Sequence, residues 1–224
     1  MANTRGSYAK GIAKRSEILE AALSIIDQQG YGAATVKQLA DAVGLSQTGV
    51  LRYFGTKETL FVEILRRRDE ALEASSNPKY PDFEGDLVRG ILNAVRLDTE
   101  APGMIQLTLR LVGEATESGH AAHDFFRSRF DSTRLLIGAA LRHLQSEGRM
   151  DRGIDPEIAA NLIFASIDGL RLQWMYAPSI DIVEHISVLL KTFGIVDAPN
   201  AFGGKEPGSS QTPGTHVRQV SDLQ

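Results

Sequence analysis

Glu114, Glu117, His120 and His123 are the residue types from which a metal or acid–base site could be built. Two carboxylates and two imidazoles would suit zinc or a related cation if one surface brought them together. The histidines are three residues apart, but Ser118 and Gly119 interrupt any helix joining them to the glutamates. The pattern reads as a solvated helix start, so no metal and no cofactor are expected. There is no glycine-rich phosphate loop, no nucleophile elbow and no His-Glu-x-x-His. Cysteine is absent, which excludes disulfides, thiolate metal sites and a cysteine nucleophile. No catalytic constellation remains, and the chain is not expected to be an enzyme. A different chemistry is available at Gln47, Thr48 and Arg52. Their amide, hydroxyl and guanidinium groups hydrogen-bond base edges, Gln favouring adenine and Arg favouring guanine.

Those three side chains need a rigid element to carry them. Residues 36–55 supply the pattern of two short helices joined by a glycine turn. Thr35-Val36-Lys37-Gln38 is a capping box that opens the first. Leu39 and Val43 give it an inner face, and Ala40 is small where the second helix must cross it. Gly44 stands where the turn needs a positive φ. Ser46 caps the second helix, whose inner face is expected to be Leu45, Val50 and Tyr53. Gln47, Thr48 and Arg52 then project outward, and Gly49 allows close approach to a nucleic-acid groove. Thr35, with the first amides at Val36 and Lys37, can hold a phosphate at a helix N-terminus. Lys10, Lys14 and Arg15 are expected to add backbone contacts. Hairpins of helices with glycine turns are also purely structural devices, and the spacing alone leaves that alternative open.

The surroundings narrow the reading. A first helix bearing Ile18, Ala22, Ile25 and Ile26 ends at Gly30 and Gly32. Then come Val36-Lys37-Gln38-Leu39-Ala40, Val43-Gly44-Leu45-Ser46, Leu51-Arg52-Tyr53-Phe54 and Thr56-Lys57-Glu58-Thr59-Leu60. Over residues 12–61 this order resembles the DNA-binding domain of the TetR family of bacterial transcriptional regulators. The sequence departs from the family pattern at Arg52, where members often carry an aromatic residue or histidine. The resemblance implies that Tyr53 and Lys57 contact phosphate, Tyr53 having core packing as its alternative role. It also implies that the rest of the chain is a helical ligand-binding and dimerisation domain. Asp155-Pro156-Glu157, Asp168-Gly169-Leu170 and Gln173-Trp174 look like a C-terminal variant of the same family.

Charge and periodicity extend this picture. Residues 1–68 carry ten Lys and Arg against six Asp and Glu, and the remainder carries 14 against 22, within a net charge of −4. A basic end on an acidic body suits contact with a polyanion. Helical periods fill almost every long segment, so about nine helices and an all-α fold are expected. The division is a three-helix helix-turn-helix domain at 1–55, a ligand-binding and dimerisation domain at 56–197 and a disordered Gly/Pro/Ser-rich tail at 198–224. Residues 56–74 form the helix joining the two domains, and Asn77-Pro78 and Pro81 punctuate the stretch beyond it. Residues 158–176 carry two apolar stripes and must be covered on two sides. One stripe is Ile158, Leu162, Ala165, Gly169, Leu172 and Tyr176, and the other Ile163, Ile167, Leu170 and Trp174. With Ile182, Ile186, Leu189 and Phe193 of the last helix, a four-helix homodimer interface is expected, unless both stripes face the chain's own core. An effector pocket is expected from Met104, Leu107, Leu111, Phe126, Phe130 and Trp174. Arg129, Asp168, Arg171 or Gln173 would be its polar anchors, although Asp168 and Arg171 are spaced to pair with each other.

Neither residues 1–14 nor the most apolar stretch reads as a signal peptide or membrane span, so a cytoplasmic chain without membrane contact is expected. The expected function is a homodimeric, ligand-responsive repressor that binds a palindromic double-stranded DNA operator and is released by a small molecule. An activator of the same fold and a helical interaction protein without DNA binding are the alternatives.

Overall fold

The computed structural model describes residues 3–75 and 87–195. They form nine α-helices and one 3-10 turn, and no strand occurs among them. In chain order the helices are α1 (Asn3–Gln29), α2 (Val36–Ala42), α3 (Gln47–Phe54), α4 (Lys57–Ser75), α5 (Leu87–Thr99), α6 (Pro102–Glu114), α7 (His123–Ser146), α8 (Pro156–Trp174) and α9 (Ile182–Thr192). The 3-10 turn, Tyr31–Ala33, comes after Gly30 and is not foreshadowed by periodicity. The expected tail at 198–224, Asn77-Pro78 and Pro81 lie outside the described residues. No described helix is long and apolar enough to cross a membrane.

Local chemistry sets the helix ends. Asp155 caps α8 by accepting from the amides of Glu157 and Ile158, with Pro156 in the first helical position. Asp181 caps α9 through the amide of Glu184. Between α6 and α7, the His123 ring lies 2.9 Å from the Ala115 carbonyl, and the His120 ring accepts from the Ala122 amide. Both imidazoles are therefore engaged by loop backbone.

Two apolar cores organise the helices. The first joins Ile18, Ala22 and Ile26 of α1 to Leu39, Val50 and Phe54 of α2 and α3, to Leu60, Phe61, Ile64 and Leu65 of α4, and to Met104, Leu107 and Leu111 of α6. This core does not break at residue 55, because the first half of α4 is continuous with the helices before it. The second core joins α5, α7, α8 and α9 around Leu92, Leu141, Ile163, Ile186 and Leu190. Each fully buried Leu or Ile contributes roughly 1.5–3 kcal/mol by leaving water.

The two stripes of α8 divide as a two-sided helix requires. Ile163 and Ile167 are buried, with Leu170 and Trp174 partly so. The other stripe stays open in the single chain: Ile158 is 59% exposed, Leu162 49%, Leu172 48% and Tyr176 86%. The α9 stripe corrects the sequence expectation. Ile182, Ile186 and Phe193 are buried in the chain's own core, joined there by Leu190, while Leu189 is half-buried. In α9 the spacing 182, 186, 190, 193 turns inward, and Val188 is the large apolar residue left exposed.

Candidate functional site

The α2–α3 unit is assembled by local rules and pinned by two distant cations. Thr35 Oγ1 accepts from the Gln38 amide at 3.2 Å while the Gln38 side chain returns to the Thr35 amide, closing the capping box. The turn after α2 is a Schellman arrangement. Gly44 has φ 66°, and the Leu45 amide reaches back to the Ala40 carbonyl at 2.9 Å. Ser46 Oγ accepts from the Gly49 amide at 3.0 Å and opens α3.

The inner face of α3 is Val50 and Phe54, one turn apart and both buried, whereas Tyr53 is half-buried at its edge. Leu45 and Tyr53 pack, partly buried, against the same core as Val50, as expected, and Phe54 is the deep residue that the expected face left out. Gly49 has an internal reason for its size, since a Cβ there would lie 3.2 Å from Ser46 Oγ and 3.5 Å from Leu45 Cβ.

Lys14 and Arg15, expected as phosphate contacts, instead close the ends of these helices. Lys14 Nζ donates to the Val43 carbonyl at 2.7 Å, and Arg15 donates to the Tyr53 carbonyl at 2.8 Å. Arg15 also stacks over the Phe54 ring at 4.6 Å and pairs with Glu63. These contacts satisfy terminal carbonyls and fix α2 and α3 against α1.

The remaining residues of this unit singled out from the sequence are exposed or half-buried. Thr35, Lys37, Ser46, Gln47, Thr48, Arg52 and Lys57 are exposed, and Val36, Gly49 and Tyr53 are half-buried. Gln47, Thr48 and Arg52 stand on the outer face of α3, while Thr35 to Lys37 form the start of α2. Lys57 begins α4.

A second candidate site lies at the middle of the helical body. A cavity of about 170 Å³ is enclosed by side chains of α4 to α8. Its apolar wall includes Ile105, Leu109 and Val112 of α6 with Phe126, Phe130 and Phe164. Phe130 meets Phe164 edge-on at 5.4 Å and Phe126 at 6.1 Å. The polar end is an ion-pair chain across three helices: Arg68 of α4 pairs with Asp98 of α5 at 2.9 Å, Asp98 also pairs with Arg171 of α8, and Arg171 holds Asp168 of the same helix at 2.9 Å. Arg129 of α7 reaches Asp69 of α4 at 2.7 Å. Burial raises the Asp168 carboxyl above its ordinary pKa, against the lowering effect of Arg171.

Of the residues expected at the pocket, Phe126, Arg129, Phe130, Asp168 and Arg171 come together here, while Gln173 is exposed and does not line it. Met104, Leu107 and Leu111 do not: they lie on the opposite face of α6, buried against α1 and α4. Trp174 lines a separate surface cleft with Arg96, Pro178 and Ile182. Sequence reading missed Arg68 and Asp98. A buried aspartate on the otherwise apolar inner face of α5 was the available signal.

Residues 18–64 match the family model for bacterial regulatory proteins of the tetR family, and residues 84–190 match that for the BetI-type transcriptional repressor C-terminal domain. The transcriptional repressor AcnR of Corynebacterium efficiens is 40% identical over 164 residues, covering 71% of this chain and 81% of that protein. The chain belongs to the TetR family. The matched family models and the relative AcnR are those of transcriptional regulators, not enzymes. The HTH-type regulator RutR of Escherichia coli is 37% identical over 65 residues, 29% of this chain, and the match spans only 31% of that relative's length. Among solved structures, a transcriptional regulator from Saccharomonospora viridis in complex with choline aligns with a TM-score of 0.62 at 21% identity. That alignment covers 79% of this chain and 95% of the other, and it shows the shared fold.

Proposed function

We propose that this TetR-family chain is a homodimeric repressor that binds a palindromic operator through α2 and α3 and releases it when a small molecule fills the cavity between α4 and α8. The observation that carries the reading is the exposed stripe of α8. Three large apolar side chains, Ile158, Leu162 and Leu172, stand open along α8, with Tyr176 open in the turn that follows it, while the helix's other stripe packs into the chain's own core. A patch of this kind on a soluble chain calls for a partner, and a second copy brings two equivalent helix-turn-helix units to one DNA.

In this reading Gln47, Thr48 and Arg52 read bases from α3 in the major groove. Ser46 and Gly49 hold the start of α3 close to the DNA, and Thr35, Val36, Lys37, Tyr53 and Lys57 hold phosphates on either side. Release follows from linkage: a ligand with higher affinity for the conformation that mis-spaces the recognition helices lowers operator affinity. Helix α4 is the lever, since its first half lies in the helix-turn-helix core while Arg68 and Asp69 tie it to the cavity wall. The relative AcnR is a repressor and the choline-bound neighbour holds a small molecule. Both support a repressor with a ligand. Selection of bound fragments from host genomic DNA, followed by sedimentation of the complex, tests the proposal. Two chains per selected fragment are expected; one chain per fragment, or no enrichment, would overturn it.

A further inference from the structure

The cavity between α4 and α8 is unbalanced in hydrogen-bonding capacity. Its polar end sets the guanidiniums of Arg68, Arg129 and Arg171 against the carboxylates of Asp98 and Asp168. Asp98 has both oxygens engaged, one by Arg68 and one by Arg171. Asp168 receives Arg171 on one oxygen, and Arg129 turns away to Asp69. Each guanidinium brings five N–H donors and no acceptor. The surplus has a definite location: Arg171 Nε is the single buried side-chain polar atom without a hydrogen-bond partner among the described residues. An orphaned buried donor is costly until an acceptor reaches it. The remaining wall is apolar and aromatic apart from Thr133 and Thr108, the latter donating its hydroxyl to the Met104 carbonyl, and the volume of about 170 Å³ is below the roughly 300–1,000 Å³ of pockets for drug-sized ligands.

We infer that the effector is a compact monocarboxylate, with its carboxylate between Arg171 and Arg129 and a single ring or branched chain against Phe126, Phe130 and Phe164. This rests on the reading of the cavity as the effector site. Guanidinium–carboxylate pairing is charge-assisted and well suited to two parallel hydrogen bonds. An organic cation would meet three guanidiniums and find only the partly engaged Asp168 to balance it. A polycarboxylate would press surplus charge against the phenylalanines, where nothing compensates it. The carboxylate also competes with Asp69 for Arg129, which loosens the tie between α7 and α4 and gives the ligand its leverage on the DNA-binding end.

Calorimetry on the full chain tests this with benzoate and 3-methylbutanoate as probes, against benzamide, benzylamine and choline. At least one carboxylate is expected to bind about tenfold or more tighter than the uncharged and cationic comparators. Arg171→Gln should remove that preference, and Arg129→Gln supplies a second variant should the first lose its circular dichroism. Equal affinity for benzoate and benzamide, preference for a cation, or no carboxylate binding in the millimolar range would overturn the assignment. Operator binding measured alongside separates the two readings. Carboxylate binding without operator release supports the ligand class and overturns the effector role. A cation-selective cavity that releases operator does the reverse.

Discussion

Replacing Asp98 by asparagine tests the ion-pair chain that joins α4, α5 and α8. The Asp98 side chain is 10% exposed and accepts from two arginines, themselves 14% and 18% exposed. Removing one member of a buried pair costs roughly 3–5 kcal/mol, because the remaining charge stays buried without compensation. Asparagine keeps one acceptor oxygen, and Arg171 retains Asp168, so the expected loss is at the low end, about 3 kcal/mol. For a chain of this size that lowers the melting temperature by roughly 6–12 °C. Asp168→Asn should behave differently. Its side chain is 40% exposed and pairs with one arginine, and such pairs contribute about 0–1 kcal/mol. Burial raises its carboxyl, so ionisation is penalised in the folded state. That penalty is absent below the ordinary carboxylate range and complete once pH has passed the raised value, and asparagine removes it at neutral pH. Urea unfolding of both variants at neutral pH decides the matter. Equal losses, or a loss of less than about 1 kcal/mol for Asp98→Asn, would refute the view of Asp98 as the centre of the network.

Three further outcomes are expected. Arg52→Ala should change base preference, whereas Lys57→Ala should weaken binding to all DNA and flatten its salt dependence by roughly one unit of slope; titrations on specific and random duplexes separate the two. Gly169→Leu should split the dimer while leaving the fold intact, since a Cβ at Gly169 meets nothing within 4 Å in the single chain; sedimentation with circular dichroism reads both, and a stable dimer would place the interface elsewhere. Gly103→Ala should lower stability by about 1–2 kcal/mol through overpacking, because a Cβ there would lie 2.6 Å from the Ile26 carbonyl oxygen where α6 meets α1; an unchanged urea midpoint would show that the two helices can move apart freely.

Much of the DNA-binding end was legible because its determinants are local. Thr35, Gly44 and Ser46 each act on amides or carbonyls within a few residues and stand where their types predict, as Asp155 and Asp181 do at the starts of α8 and α9. The two-striped α8 was legible for a similar reason, since one helix carries the whole pattern. What sequence spacing could not supply was partnership at a distance. Lys14 and Arg15 reach carbonyls 29 and 38 positions away, and as isolated basic residues they look like phosphate contacts. Helix α6 is apolar on two faces, with Met104, Leu107 and Leu111 on one and Ile105, Leu109 and Val112 towards the other. Period alone does not say which face meets the cavity. Tyr53 and Phe54 are adjacent aromatics, and only the one-turn spacing from Val50 brings Phe54 beneath α3.

In the proposed function, two copies of α3 read one operator together. A footprint of the full chain on a selected genomic fragment, with base substitutions scanned across the protected region, tests it most directly. Two inverted half-sites separated by about one helical turn of DNA or a small multiple are expected, with Arg52→Ala altering preference at equivalent positions in both. Protection of a single asymmetric site by one chain, with Arg52→Ala affecting one position only, would contradict it.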